Sequence, residues 1–508
     1  MSRITSTGGL ALAAFLAACA AGGGDGGGSC PAGSVLTVFP TSIRVTAGDP
    51  AVSFGAGVTN CAEDIRWNLS GPGSLDRNAG VPVNYTPPAS VATPATATLT
   101  ASVDTLAASA SITIDPAVVA LAGKVIATNG APVEGATVRV GTAAATTDAA
   151  GVFSLPGISP PYGISATSPD GLLTSFYAGL RRMDPTLVVF DVAPPFPRIA
   201  SVTGALSGGA GFPKPDGHEA GVAFRSPEAA GSGAVQAGVA TYQLGVSWSG
   251  PPAVTGALHA LEWQVDADKR PVSYDGYGSR TGVALASGSA ATGQNVALAA
   301  IGSSAVAGTI LNAPSNSASI SMFVVLGDGA RLRILPPPGD PSPFPYLGYV
   351  STFSIPTPVV AGATIDLVAR QDYAGGPYQE VHRHGLAAGE AGVLLAFGGA
   401  PIQSSPVNGT IIAPGQVFSW HTMPDAPVYV ISFRGPPGSP GYDIFTTVPA
   451  FTIPVDFTMP SSTSYTWLIR GSSAFSTMED AAGPGGFMAG AASYRIAQSG
   501  TWQFTTPP

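Results

Sequence analysis

Turn-forming residues punctuate the whole chain and limit the length of the elements it can form. The 508 residues include 66 glycines and 48 prolines, and no long segment repeats apolar residues at helical spacing. Between the turn signals lie short runs in which apolar and polar residues alternate. Such runs predict β-strands joined by turns. The sequence therefore predicts an all-β protein, and its length allows three to five domains.

The charge content narrows the classes of partner. Only 10% of the residues are charged, against 45% hydrophobic, and the net charge is −9. Soluble domains usually carry ~25% charged residues, so these surfaces are expected to be covered by Ser, Thr, Gly and Ala. The chain has no basic stripe, which argues against nucleic acid as a partner. The alternating Val, Tyr, Trp and Phe residues are not typical of a disordered chain.

The start of the chain has the layout of a secretory signal. Arg3 is followed by an apolar run over 8–18, which is too short for the ~20 residues of a transmembrane helix. The segment Leu16–Cys19, of sequence LAAC, resembles the lipobox of bacterial lipoproteins. The resemblance implies that residues 1–18 are removed and that Cys19 is acylated. An ordinary secretory signal and a chance match are the alternatives.

The residues after the lipobox suit an anchored protein. Ala20 stands where an inner-membrane retention signal of enteric bacteria would place Asp, which favours the outer membrane. Residues 20–29 include six glycines and are typical of a flexible tether. We expect a protein anchored to the bacterial outer membrane through its lipid, facing the periplasm or the cell surface.

The cysteine count follows from this placement. Of three cysteines, Cys19 takes lipid, and the oxidising compartment implied by the lipobox allows Cys30 and Cys61 to pair. A bridge that closes a loop of about 30 residues would contribute ~3–4 kcal/mol in the chain-entropy model. Two free buried thiols are the alternative.

Residues 31–116 alternate like strands, and Trp67 is placed to fill the centre of a two-sheet core. The runs WNLSGPG, from Trp67, and VNYTPP, from Val83, resemble bacterial immunoglobulin-like domains. The resemblance implies a β-sandwich that serves as a stalk or a binding unit.

Residues 117–195 read as a series of hairpins. Asp148 and Gly151 take the first and last places of a four-residue turn, and Phe153 and Leu155 share one strand face. With the earlier runs LAGKV and GAPVEGATVRV, the segment resembles the carboxypeptidase regulatory-like domain, a small transthyretin-like β-sandwich. The resemblance implies a non-catalytic role.

Residues 198–397 contain a weak repeat. The pentapeptide VTGAL occurs twice and is followed by VAGTI and VAGAT, so that glycines stand at 204, 256, 308 and 362. A step near 50 residues suits a propeller blade, but blade signatures are missing. We favour one large or two small β-sandwiches, as degenerate copies of the preceding domain. A chance recurrence of small residues is the other alternative.

The last segment, residues 400–508, places Phe418 with Trp420 and Tyr465 with Trp467 on single strand faces. It resembles a fibronectin type III-like domain, and we expect these aromatic residues to form its core rather than a ligand site. The predicted organisation is thus a chain of tandem β-sandwiches: signal peptide 1–18, glycine-rich tether 19–30, immunoglobulin-like sandwich 31–116, regulatory-like domain 117–195, repeat-containing region 198–397 and fibronectin-like sandwich 400–508.

One segment raises the question of catalysis. His259 and Glu262, with His382 or His384 far downstream, resemble the zinc motif of metallocarboxypeptidases, and zinc catalysis needs three protein ligands with an open water position. That family's long helices, substrate-binding Arg-Asn pair and Glu base have no counterpart here, and its regulatory domain follows the peptidase rather than preceding it. The residues around Glu262 alternate like a buried strand, so a zinc carboxypeptidase is a distant alternative.

Two polar groups are weaker metal candidates. Glu380, His382 and His384 alternate and would share one face of a strand, which is compatible with a metal; a polar strand end is the alternative, and no metal is predicted without a fourth ligand. A second group, of aspartates that suit calcium by residue type but not by spacing, is better explained as a solvated turn. It comprises Asp266, Asp268 and Asp275.

Four tyrosines in Gly- and Pro-rich loops could stack on sugar rings, but packing against neighbouring prolines is the favoured explanation. They are Tyr274, Tyr277, Tyr346 and Tyr349. No nucleophile elbow, HExxH run or phosphate-binding loop is present in the sequence. We predict no enzymatic activity and no cofactor, but a structural, adhesive or binding role, with an envelope protein or a polysaccharide as partner. A carbohydrate-binding surface lipoprotein is the alternative. The adhesive role predicts that no polar pocket converges inside the protein.

Overall fold

The computed structural model describes residues 30–508 except 62–63, 129, 191–197, 236–237, 249, 313–317, 336–351, 374–375, 454–456, 458 and 489–490. The chain divides into two compact units, Met1–Ala117 (unit 1) and Val118–Pro508 (unit 2). The described residues are almost all strands and turns, which confirms an all-β chain of tandem β-sandwiches. Cys19 lies outside them. In the described part of the chain, no helix is long and apolar enough to cross a membrane.

Unit 1 is a sandwich of two four-stranded sheets, ordered β1-β3-β6-β5 and β2-β8-β7-β4. Its strands are β1 (Leu36–Phe39), β2 (Ser42–Thr46), β3 (Val52–Val58), β4 (Arg66–Ser70), β5 (Ser74–Leu75), β6 (Val83–Thr86), β7 (Ala95–Val103) and β8 (Leu106–Asp115). Trp67 is buried between the sheets, and its indole N–H donates to the Gly80 carbonyl at 2.8 Å. The predicted role of Trp67 in a two-sheet core is confirmed.

A disulfide ties the first described residue of unit 1 to the segment that follows β3. Cys30 and Cys61 are bonded, with their Cα atoms 5.2 Å apart. Both half-cystines pack against the hydrophobic core of unit 1. The alternative of two free thiols is therefore wrong.

The described residues of the first half of unit 2 form fifteen strands. From 118 to 195 they are β9 (Val119–Ala127), β10 (Thr137–Val140), β11 (Ala143–Thr146), β12 (Val152–Ile158), β13 (Tyr162–Thr167), β14 (Leu173–Leu180) and β15 (Thr186–Val189). From 198 to 298 they are β16 (Arg198–Gly208), β17 (His218–Arg225), β18 (Ala229–Ala234), β19 (Thr241–Trp248), β20 (Ala253–Val265), β21 (Pro271–Ala286), β22 (Ala290–Ala291) and β23 (Val296–Leu298).

The described residues of the second half of unit 2 also form mainly strands, and they include one turn of α-helix. From 302 to 396 the strands are β24 (Gly302–Leu311), β25 (Ala318–Val325), β26 (Arg331–Leu335), β27 (Thr352–Val359), β28 (Thr364–Asp372), β29 (Tyr378–Leu386) and β30 (Val393–Ala396). From 402 on, the elements are β31 (Ile402–Ser405), β32 (Thr410–Ile411), β33 (Val417–His421), β34 (Val428–Arg434), β35 (Gly441–Thr446), β36 (Ala450–Thr452), β37 (Ser464–Ser472), α1 (Met478–Ala481), β38 (Ser493–Gln498) and β39 (Trp502–Thr505), with a 3₁₀ turn at Gly486–Met488.

One sheet runs through three of the predicted segments. β14 pairs in parallel with β35, and β38 pairs antiparallel with β29, so that the described part of this sheet has fourteen strands. The cores are shared as well: the rings of Tyr177 on β14 and Phe445 on β35 stack with their centroids 3.9 Å apart. The boundaries at 195–198 and 397–400 stay predictions, but the segments beside them are joined by strand pairing and not only by linkers.

The four-residue turn predicted at 148–151 is confirmed. Asp148 Oδ1 accepts the N–H groups of Ala150 and Val152 at 2.9 and 2.8 Å. Gly151 closes the turn with a φ of +74°, a conformation that favours glycine. Phe153 and Leu155 are both buried on one face of β12.

Three segments of unit 2 begin with the same local structure. In each, a glycine of the first strand lies directly opposite an aromatic residue of an antiparallel neighbour, and the first strand also pairs in parallel with a strand near the end of the segment: β9 with β15, β16 with β22 and β23, and β24 with β30. The pairs are Gly123 with Phe153, Gly204 with Tyr242, and Gly308 with Phe353. This pattern favours two degenerate copies of the preceding module in 198–397.

The prediction that the four glycines, spaced about 52 residues apart, mark a structural repeat is wrong. Gly256 lies in β20 opposite Val283, and Gly362 lies in the turn before β28, so neither occupies the position of Gly204 or Gly308. The propeller alternative is also wrong, because the described strands of 198–397 belong to sheets of eight, three and fourteen strands rather than to successive four-stranded blades.

The glycine position should tolerate no side chain. A Cβ on Gly308 would lie 1.9 Å from the Val393 carbonyl oxygen and 2.7 Å from the Phe353 ring. Because sheet pairing fixes the carbonyl, we expect Gly308→Ala to lower the free energy of unfolding of unit 2 by about 1–3 kcal/mol. Gly245→Ala in β19 is the matched control, since a Cβ there meets nothing within 4 Å. Urea unfolding should separate the two variants; equal losses would contradict the packing argument.

The aromatic residues of the last segment form its core, as predicted. Phe418, Trp420, Tyr465 and Trp467 are all buried. The rings of Phe418 and Trp467 meet edge to face with centroids 5.1 Å apart, a favoured aromatic geometry. These side chains therefore hold β33 and β37 together and are not available to a ligand.

Candidate functional site

Strand β20 lies between two hydrophobic cores, and this decides where its polar residues point. Successive side chains of a strand face opposite sides. Leu258 belongs to the core of β16–β23, whereas Trp263 packs with the core of β24–β30. By the same alternation His259 and Glu262 lie on opposite faces of β20.

His259 is fully engaged on its side of the strand. Its Nδ1 lies 2.8 Å from Tyr277 Oη, and its Nε2 lies 2.8 Å from Asp328 Oδ2. Both ring nitrogens therefore have partners, and neither reaches the Glu262 side. The carboxypeptidase alternative is wrong, because its two neighbouring ligands need one shared face, and a strand separates residues three apart.

On the other face, Glu262 converges with His218 of β17 and Asp275 of β21. His218 Nδ1 lies 2.8 Å from Asp275 Oδ2 and 3.8 Å from Glu262 Oε1. All three atoms lie within 4.8 Å of one another; among the described residues, this is the one group of three acidic, histidine or cysteine side chains gathered so closely. We call it the HED cluster.

Strand register brings the HED cluster together. The antiparallel pairing of β17 and β20 aligns Ala220 with Glu262, which puts His218 on the same face two residues away. On the other side, the register of β20 and β21 shifts between Glu262 and Trp263, and Asp275 is the extra residue of this bulge. A bulge redirects a side chain, so Asp275 can turn toward Glu262.

Each carboxylate of the cluster has one oxygen held and one left over. Glu262 Oε2 accepts the Ala210 N–H at 2.9 Å, and Asp275 Oδ1 accepts from Gln264 Nε2 at 3.2 Å. The remaining atoms, Glu262 Oε1, Asp275 Oδ2 and His218 Nδ1, are buried and have no partner in hydrogen-bond geometry among the described residues.

Burial shapes the electrostatics of the cluster. Glu262 is completely buried, and this desolvation raises the pKa of its carboxyl group, although the Ala210 N–H works in the opposite direction. The expectation that no polar groups converge inside the protein is wrong here. It failed because the three residues come from three strands, and only pairing and a bulge unite them.

Glu380, His382 and His384 lie on β29, as their alternation predicted, but they form ion pairs. His382 Nε2 lies 3.0 Å from Glu380 Oε2, and Glu380 also binds Arg370 at 2.9 Å. His384 Nδ1 lies 2.9 Å from Asp366 Oδ2. These contacts explain the three residues as a charge network on β28 and β29.

Acid should weaken this network. Burial opposes ionisation of Asp366 and Glu380, but the hydrogen bonds from His384 and His382 lower the pKa of both carboxyls below their ordinary values. A carboxyl whose folded pKa is lowered stabilises the protein above its unfolded pKa, roughly 4, and this stabilisation is lost as the pH falls through the folded pKa. We expect the urea midpoint of unit 2 to drop below about pH 4, and to drop less in an Asp366→Asn/Glu380→Gln variant. Superimposable acid profiles would refute the assignment.

The aspartates considered for calcium do not gather. Asp266 Oδ1 accepts the N–H groups of Asp268 and Arg270, each at 2.9 Å, and so shapes the turn between β20 and β21. Asp275 belongs to the HED cluster instead. The interpretation as a turn is correct for the first two residues and wrong for Asp275.

The tyrosines form no exposed platform where they are described. Tyr274 is buried and its hydroxyl donates to the Pro356 carbonyl at 3.1 Å. Tyr277 is half-buried beside His259. Tyr346 and Tyr349 lie outside the described residues. Stacking of sugars on an exposed face of these loops is therefore wrong for Tyr274 and Tyr277.

A cavity of about 500 Å³ between β17–β18 and β25–β26 has a basic lining. It carries Arg225, Arg331 and Arg333 beside the rings of Phe224 and Phe323. The Arg331 guanidinium lies 3.7 Å from the centre of the Phe323 ring, and the buried Nε of Arg333 has no hydrogen-bond partner among the described residues. Arg331 also pairs with Asp366 at 3.6 Å, so the positive charge that this lining adds to a chain of net charge −9 comes mainly from Arg225 and Arg333.

Comparison with known proteins gives little further guidance. No protein-family model matches the chain, and no curated protein is significantly similar to it. Among solved structures, the N-terminal four immunoglobulin domains of Dscam1 isoform 1.9 align at 8% identity over 93% of this chain and 99% of that one, with a TM-score of 0.16. An I-band fragment of titin aligns at 11% identity over 45% of this chain and 93% of that one, with a TM-score of 0.14. Scores of this size support no inference about function.

Proposed function

We propose that this chain is a lipid-anchored cell-envelope protein with a structural or binding role and no catalysis, in which unit 2 serves as a rigid body. The observation that carries the proposal is the fourteen-stranded sheet, which fuses three successive segments of unit 2. Strand pairing and shared cores suit a body that holds its shape while it presents surfaces. A cavity of about 580 Å³ along β16 and β19 has no carboxylate, histidine or cysteine among its described lining residues.

The location is proposed from the start of the chain. The lipobox-like Leu16–Cys19 and the glycine-rich tether support attachment to the outer membrane through acylated Cys19, facing the periplasm or the cell surface. Acyl chains contribute ~0.8 kcal/mol per buried methylene, so more than one chain anchors firmly. The Cys30–Cys61 disulfide suits an oxidising compartment.

We also propose family assignments for the modules. The two facing sheets of unit 1 support an immunoglobulin-like domain, and the Asp148–Gly151 turn with β9–β15 supports a carboxypeptidase regulatory-like domain. The shared glycine and aromatic pairs extend that module type to 198–298 and 302–397. The packed aromatic faces of β33 and β37 support a fibronectin type III-like end.

Fractionation of cells that express the full chain tests the anchor. The wild type should sediment with outer membranes and leave them only in detergent, whereas Cys19→Ser should lose membrane attachment. Protease treatment of intact cells, followed by detection of residues near Pro508, then separates surface exposure from the periplasm. A wild-type protein that is released by salt alone would contradict the proposal.

The arginine-lined cavity favours a second candidate function, binding of an anionic polysaccharide. Guanidinium groups pair with carboxylates, and Arg225 and Arg333 both lie in this lining. A partner of this kind fits the cavity better than a neutral glycan, because the guanidinium groups of Arg225 and Arg333 favour an anionic ligand. The two candidates are compatible, since an anchored platform can carry a glycan site.

Polygalacturonate is a suitable probe for this cavity, with dextran as the neutral control. We expect the full chain to bind polygalacturonate in a salt-sensitive manner and to ignore dextran. The double variant Arg225→Gln/Arg333→Gln should lose most of this binding, whereas the surface variant Lys269→Gln should keep it. Equal binding by both variants would exclude the cavity as the site.

A further inference from the structure

We propose that the HED cluster, formed by His218, Glu262 and Asp275, is a binding site for a divalent metal ion of the zinc type that has a structural role. This inference is independent of the anchor and of the glycan cavity. It starts from three buried ligand atoms, Nδ1, Oε1 and Oδ2, that point at one another without hydrogen-bond partners among the described residues.

The burial of Glu262 is the observation that calls for a ligand. Its side chain is completely shielded from solvent, and an unpaired buried carboxylate oxygen costs free energy that a cation can offset. His218 alone does not suffice, because its Nδ1 lies closer to Asp275, at 2.8 Å, than to Glu262, at 3.8 Å. A cation among the three atoms would satisfy all of them at once.

The spacing of the three atoms fits a small ion. Ligands held ~2.1 Å from a tetrahedral zinc ion lie about 3.4 Å from one another, and the observed separations of 2.8 and 3.8 Å bracket this value. One imidazole with two carboxylates is a set that zinc accepts, whereas calcium takes six to eight oxygen ligands. The mixed donor set therefore favours zinc.

The surroundings orient the ligands in the way that metal sites require. Ala210 N–H and Gln264 Nε2 each hold the outer oxygen of one carboxylate, and such second contacts fix the direction of a ligand. Gly209 makes room for this arrangement, since a Cβ there would lie 2.0 Å from Glu262 Oε2. The loop from β16 to β17 is thus built around the Glu262 carboxylate.

The small exposure of the cluster indicates a structural ion. The side chains of His218 and Asp275 are 14% and 17% exposed, against 0% for Glu262. Solvent can reach one side, which leaves a path for an ion and a place for one water as fourth ligand. A larger substrate has no access to Glu262. The ion would clamp β17, β20 and β21 to one another.

Zinc titration of the full chain, purified in detergent and stripped with a chelator, tests the proposal. We expect one equivalent of Zn²⁺ to bind and to raise the midpoint of thermal unfolding by a few degrees, because a ligand of the folded state stabilises it. His218→Gln, Glu262→Gln and Asp275→Asn should each weaken Zn²⁺ binding by more than about 100-fold. Circular dichroism checks that each variant is folded, and three variants guard against the failure of one.

Two histidine variants serve as matched controls. His259→Gln changes the histidine on the opposite face of β20, and His384→Gln changes the charge network on β29; both should keep the zinc equivalent. Absence of zinc binding by the wild type would leave the cluster as a plain buried ion pair and overturn the proposal. Loss of binding in His384→Gln, with retention in His218→Gln, would also overturn it by moving the site to β29.

Discussion

Arg495→Met is expected to lower the free energy of unfolding of unit 2 by about 2–4 kcal/mol. Arg495 is 7% exposed on β38. Its guanidinium donates to Gln379 Oε1 at 3.1 Å and to the Gly399 carbonyl at 2.8 Å, and it pairs with Asp425. One side chain thus ties the end of the 198–397 region to the start of the last segment. Methionine removes a buried cation, the donor to the Gly399 carbonyl and one of the two donors to Gln379 Oε1, which also accepts the Gly398 N–H at 3.0 Å.

The control for this prediction is Lys269→Met, which removes a cation that is 55% exposed and pairs with Glu219 at 3.2 Å. An exposed pair of this kind is worth at most ~1 kcal/mol. Arg495→Lys should fall between the two, because an ammonium keeps the charge but cannot reach all three acceptors. Calorimetry or urea unfolding measures the difference. If Arg495→Met and Lys269→Met lose the same small amount, then the junction does not depend on this arginine.

Removing the disulfide should produce the largest effect in unit 1. Cys30 and Cys61 are separated by 31 positions, and in the chain-entropy model a loop of this length contributes about 3–4 kcal/mol. We expect the free energy of unfolding of unit 1 to fall by this amount in the Cys30→Ser/Cys61→Ser variant, so that unit 1 unfolds at a lower urea concentration. The fluorescence of Trp67 in its buried site follows this transition.

Unit 2 provides the internal control, because it contains no cysteine. Its unfolding should be unchanged in the double variant, and a reducing agent should shift wild-type unit 1 to the same midpoint. A reduced wild type that is as stable as the oxidised protein would show that the bridge does not stabilise unit 1.

Local patterns predicted local structure well. Asp148 and Gly151 correctly predicted a turn, and the alternation of apolar residues correctly placed Trp67, Phe418 and Trp467 in hydrophobic cores. Both predictions succeeded because they depend only on residues that are close in sequence. The same rule failed at Glu262. Its resemblance to a peptidase motif paired it with His259, while the alternation of a strand sends those two side chains to opposite faces.

The HED cluster and the long sheet needed information that a single sequence does not carry. His218 and Glu262 meet through the register of β17 and β20, and Asp275 joins them because of one bulge. The parallel pairing of β14 with β35 joins residues more than 260 positions apart in the chain, such as Phe176 and Ile444. No spacing of residues in the sequence predicts the strand register and bulge of the HED cluster or the pairing of β14 with β35.

The repeat shows how close a sequence pattern can come. The pentapeptide pattern included Gly204 and Gly308, which are structurally equivalent, but it also included Gly256 and Gly362, which are not equivalent to them. The structural equivalent is Gly123, which faces Phe153 as Gly308 faces Phe353. Loops of unequal length make the true steps irregular, and the aromatic partner, rather than the pentapeptide, is the signal that marks the module.

The mass of the mature N-terminal peptide tests the account most directly. The full chain is isolated from membranes, digested, and its first peptide is analysed by mass spectrometry. The account predicts a peptide that begins at Cys19 and carries the mass of covalently attached acyl chains. A peptide that retains Met1, or one that begins elsewhere without lipid, would contradict it.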